Sequence, residues 1–136
     1  MKTWIIPVCI TFVLWGIQGF VAKLTTQYIN PMSALLYNIV GAFIVGIVIL
    51  YLLNFSPQVH AKGIALAVFM GALGLLGVLG MLYAMRQGKV SVVTVISALY
   101  PLVSILLAYF ILKEPVTLKE GVGIAFALVA LVLFST

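Results

Sequence analysis

Five long apolar runs, separated by short connectors that hold nearly all the charge, dominate this sequence. They cover residues 3–22, 32–53, 63–85, 90–112 and 118–134. A helix needs roughly 20 residues, at ~1.5 Å each, to cross ~30 Å of hydrocarbon. The first four runs meet that length. The fifth is free of charge only after Glu120, and it still crosses if Lys119 and Glu120 sit in the interface. Lipid satisfies no backbone hydrogen bonds, and runs this long are not barrel strands, so each is expected to be a helix. The expected fold class is an all-α integral membrane protein, with five transmembrane helices in one domain over residues 1–136. Composition closes the alternatives. The chain is 65% apolar and 7% charged, against about half and about a quarter in soluble domains. That excludes a soluble globule, and so much apolar sequence also excludes disorder.

Residues 1–16, with Lys2 before an apolar run, have the outline of a signal peptide. No small-x-small cleavage site and polar mature chain follow, so the segment reads as the first of five similar ones. A single cysteine, Cys9, excludes an internal disulfide and a Cys-based cluster, and a single histidine, His60, excludes a His-rich metal site. No cofactor is expected. The seven basic residues stand singly between apolar runs, which excludes a nucleic-acid face and suits membrane orientation.

An odd number of spans puts the termini on opposite sides. One side then holds Lys2, Lys62, Lys113 and Lys119, four in all, and the other Lys23, Arg86 and Lys89, three in all. The excess of Lys and Arg sets topology, and a difference of one is almost no instruction. Two readings follow: a weak preference for the N-terminus inside, or dual topology. Many transporters enclose a midplane site between inverted repeats. Five spans hold only half of such a pair, and an antiparallel homodimer would supply the rest.

Polar residues within spans are few. Thr11, Trp15 and Gln18 share one face of the first span, and Thr94, Ser97, Pro101 and Ser104 one face of the fourth, with Tyr100 beside it. Tyr83 lies late in the third span and Asn38 early in the second. Such groups should face protein or a wet cavity. They either line one cavity or bond between packed helices. Pro101 removes a donor in mid-span, as a tolerated kink or as a hinge. Lys23 and Arg86 either pair with an anionic substrate group or snorkel to the interface. Trp4, Tyr51 and Tyr109 read as interface anchors. The small residues Gly71, Gly74, Gly77, Gly80, Gly123, Ala127, Ala130, Ala42 and Gly46 should let helices approach closely, with a bendable wall as the alternative for the third span.

The absences are as informative. No Asp or Glu lies within the uncharged spans; Glu114 and Glu120 flank the last connector. A proton antiporter usually needs a buried carboxylate. No nucleophile–base pair, carboxylate pair or phosphate-cradling loop appears, so an enzyme is not expected.

The segments VLWGIQGFVAK (13–23) and MLYAMRQGKVSVVTVISALYPLVSILLAYFILKEPVTLKEGVGIAFALVALVLF (81–134), with the five-span layout, resemble the EamA domain of the drug/metabolite transporter superfamily. The specific marks are Gly88, Tyr100-Pro101, Leu112-Lys113-Glu114, and Gly123 with Ala127. The resemblance covers nearly the whole chain. Family members typically carry two such domains as inverted halves of a ten-helix transporter, and this sequence has one. The resemblance therefore implies a half-transporter that dimerises, with the first, third and fourth spans lining the cavity. Short relatives include small multidrug exporters, whose first-span glutamate has no counterpart here, where Gln18 stands in that span, and paired flippase subunits.

The expected function is secondary transport, as exporter or facilitator, of a small metabolite such as an amino acid, by an antiparallel homodimer in the cytoplasmic membrane of a prokaryote. Thr11, Trp15, Gln18, Tyr83, Thr94, Ser97, Tyr100, Pro101 and Ser104 would line the site. The partners are membrane lipid, the small-molecule substrate and a second copy. The alternatives are a subunit of a lipid-linked sugar flippase and a non-transporting membrane assembly protein.

Overall fold

A computed structural model describes residues 4–135, without the side chains of 131, 134 and 135. Lys2, the start of the first run at Thr3, and Thr136 lie outside the described residues. Among the described residues all regular structure is helical: α1 Ile5–Tyr28, α2 Pro31–Leu52, α3 Ala61–Gln87, α4 Val90–Ser97, α5 Tyr100–Leu107, a π-helical turn Ala108–Leu112, and α6 Leu118–Ser135. Four segments are long and apolar enough to cross a membrane: α1, α2, α3 and the stretch Val90–Leu112. α6 coincides with the fifth apolar run. The chain divides into two compact units, Met1–Gln87 and Gly88–Thr136.

In the first unit the helix ends follow local chemistry. Asn30 caps α2, its side-chain oxygen accepting from the Ser33 N–H at 2.8 Å. Pro31 takes the first helical position, where a missing donor costs nothing. His60 does the same for α3, its Nδ1 accepting from the Gly63 N–H at 3.3 Å. That gives the lone histidine a structural role. After α2 the chain turns through Asn54 and Phe55, both left-handed, at φ 50° and 57°. Asn tolerates that region; Phe does so at a cost of roughly 1–2 kcal/mol.

The buried residues of this unit are Gly19, Ala22 and Thr26 on α1, Pro31 and Ala34 on α2, and Leu82 and Met85 on α3. All lie at one end of the three helices. Gly19, Ala22 and Thr26 stand at offsets 0, 3 and 7, one face of small side chains against which the neighbouring backbones close. Met85 is fully buried there. Elsewhere the apolar side chains of α1–α3 are exposed, which in lipid costs little, because acyl chains are as apolar as leucine.

This corrects the expected packing. A Cβ added at Gly71, Gly74, Gly77, Gly80, Gly46 or Gly123 would meet nothing within 4 Å, and Ala42 is exposed. Small residues permit close approach without causing it. The burial instead forms where the two-residue α1–α2 connector, Ile29 and Asn30, holds two helices together.

In the second unit the fourth apolar run is a broken rod. α4 ends at Ser97, and Ala98 and Leu99 form a turn before α5 begins at Tyr100 with Pro101 in its first turn. In a continuous helix the Ser97 carbonyl would accept from residue 101, and proline has no N–H to give. Across the turn the bonds tighten: Leu99 N–H donates to Ile96 O at 3.2 Å, and Leu102 N–H to Leu99 O at 2.9 Å, both three residues back. The run closes at Lys113, left-handed at φ 55°, where the Glu114 N–H reaches back to Ala108 O at 3.3 Å. α6 opens with a capping box. Glu120 Oε2 accepts from the Thr117 N–H at 2.8 Å, and Thr117 Oγ1 from the Glu120 N–H at 3.4 Å.

Candidate functional site

Lys23 lies inside α1, which runs on to Tyr28, so the lysine does not end the first helix as its charge suggests. Its ammonium donates to the Met85 carbonyl at 2.6 Å and is part-buried. α3 ends at Gln87, so Met85 O is among the last four carbonyls, which lack an intrahelical donor. The lysine thereby caps the negative end of α3. Arg86, in the last turn of α3, is exposed.

The polar face of α1 divides on inspection. Thr11 donates its hydroxyl to Pro7 O in its own helix at 3.0 Å, the usual way a threonine hydroxyl is satisfied at membrane depth. Trp15 is 55% exposed and Tyr83 is 43% exposed. Gln18 lines a cavity of about 170 Å³ at the packed end of the unit, together with Tyr37 and Asn38 of α2. Met81 and Leu82 of α3 form apolar wall there. Thr11, Trp15 and Tyr83 are not among its lining residues. Tyr37 escaped sequence reasoning because it reads as an ordinary aromatic in an apolar helix. It stands one residue before Asn38, and that adjacency was its only signal.

In the second unit a cavity of about 510 Å³ runs along α5 and α6. Pro101, Ile105, Tyr109, Glu114, Glu120, Gly123 and Ala127 are among its lining residues. Of the expected lining residues only Pro101 takes part; Thr94, Ser97, Tyr100 and Ser104 are not among its walls. Tyr109, expected as an interface anchor, faces this cavity. No group of three or more His, Cys, Asp or Glu able to hold a metal exists among the described residues.

The two units thus offer a broken helix, sparse polar groups and few charges. The model of the EamA-like transporter family matches residues 2–136. A protein of Methanocaldococcus jannaschii, itself described as uncharacterized, is 29% identical over 136 residues, covering 99% of this chain and 98% of that one. No solved structure matches. With the family match running over essentially its whole length, the chain belongs to the EamA-like transporter family, a family of integral membrane transporters.

Proposed function

We propose that this chain is a half-transporter: all five apolar runs cross the membrane as one domain, and two copies inserted in opposite directions enclose a site near the bilayer midplane. The cargo is a small metabolite such as an amino acid, and the two bundles rock to expose it alternately. Thr11, Trp15, Gln18, Tyr83, Thr94, Ser97, Tyr100, Pro101 and Ser104 line the path, with Trp15 and Tyr100 offering π-faces to a cationic or apolar part of the cargo. The observation that carries this reading is the family match over the whole chain, taken with the four-to-three division of Lys and Arg between the two sides. The archaeal relative, of the same span, agrees with a prokaryotic plasma membrane.

Both carboxylates lie beside the connector between the fourth and fifth runs, and Glu120 is engaged in the helix cap. The transporter is therefore a facilitator or exchanger rather than a proton antiporter. The test is a pair of reporters fused after Thr136, one active only inside the cell and one only outside. Signal from both in comparable amounts is expected. Signal from one alone, with no oppositely inserted partner, refutes the antiparallel homodimer.

A further inference from the structure

We propose that the 170 Å³ cavity of the first unit is a subsite for an uncharged group that both donates and accepts hydrogen bonds, of the carboxamide type. Gln18 on α1 and Asn38 on α2 bring two carboxamides to the same small space, with the Tyr37 hydroxyl beside them. Each carboxamide carries two N–H donors and one carbonyl acceptor. Among the described residues no hydrogen bond ties either amide to the protein. Both are exposed on the open side of this cavity, in helices apolar enough to cross a membrane, where an amide left facing hydrocarbon costs several kcal/mol. A polar group held in the cavity would meet them.

The charge of the lining selects what that is. No Asp, Glu, Lys, Arg or His lines the cavity. The nearest cation along α1, Lys23, is drawn to the Met85 carbonyl. A carboxylate or an ammonium would find no opposite charge here to offset whatever hydration it gives up. A neutral amide loses far less and matches the donors and acceptors of Gln18 and Asn38 in kind. The volume is well above the roughly 15 Å³ that one water needs, so the space admits an organic group rather than a single solvent molecule. Met81 and Leu82 supply the apolar wall for the carbon part of such a molecule. That the group belongs to a cargo rests on the transport reading; its capture in the cavity does not.

The experiment measures binding alone, on the full chain in detergent with no gradient. Propionamide, propionate and propylammonium share a carbon skeleton and differ in charge, and saturation-transfer NMR reports contact with each. Propionamide is expected to bind at least about tenfold better than either ion. Gln18→Leu and Asn38→Leu, which make the helices more apolar, should each weaken it roughly tenfold, while Cys9→Ala leaves it unchanged. Gln18→Glu should reverse the preference toward propylammonium, which a purely structural role for Gln18 would not produce. Equal contact by all three probes, or propionamide binding that survives both leucine substitutions, overturns the proposal. Single-sided insertion of the chain would remove the dimer and leave this binding result intact, so the two ideas fail separately.

Discussion

Replacing Lys23 with methionine tests how the first unit is held together. Methionine keeps an unbranched side chain of similar length and removes the ammonium. What is lost is a charge-assisted hydrogen bond of 2.6 Å to Met85 O. Bonds to a charged group contribute about 1.5–3 kcal/mol, and a cation at a helix C-terminus adds about 0.3–1 kcal/mol. Lys23 is only part-buried, which pulls the sum toward its lower end. Against that, Met85 is fully buried, so its carbonyl is poorly placed to find water once the lysine is gone. The expected cost is about 1–3 kcal/mol, carried mainly by the α1–α3 contact. Lys23→Arg keeps a charged donor and should restore most of it. The assay is unfolding in mixed micelles of rising SDS fraction, followed by far-ultraviolet circular dichroism. A Lys23→Met protein within ~0.5 kcal/mol of the parent, the range of an ordinary surface substitution, would refute the claim that this lysine ties α1 to α3.

Two further outcomes are expected. Pro101→Ala gives the Ser97 carbonyl a donor again, so the amides around 98–102 should exchange with deuterium several-fold more slowly, approaching those of α4; unchanged exchange would mean the break is not caused by proline. Thr117→Val removes the hydroxyl that accepts from the Glu120 N–H, so the first-turn amides of α6 should exchange faster while those beyond Val122 stay as they were.

Much of the fold was legible along the chain because crossing a bilayer is a one-dimensional requirement. The apolar length of each run and the backbone's need for internal hydrogen bonds do not depend on what the run packs against. The expected runs and the observed helices accordingly agree to within a few residues at most ends. The exception is α1, where Lys23 reads as a stop and is a helix interior residue, since its ammonium finds a carbonyl 62 positions away. The break before Pro101 was equally local and equally visible, because a missing N–H is a property of the residue itself.

The site was less legible. Periodicity placed Thr11, Trp15 and Gln18 on one face, and could not tell that a threonine would bond its own helix while a glutamine on α1 would share a cavity with Asn38 of the next helix. The stripe of glycines in α3 looked like a packing surface and stands open, while the burial falls on Gly19, Ala22, Ala34 and Met85. Membrane residence, the four long apolar spans, the place of the kink and the scarcity of charge were thus determined by the amino-acid order alone, through lengths and donors that belong to single segments. Which small residues close on a neighbour, which carbonyl receives the lysine and which amides meet in one pocket were decided only by tertiary structure. Those are relations between segments, and lipid, as apolar as the helices themselves, leaves many such arrangements nearly equal in energy until polar contacts and close packing choose among them.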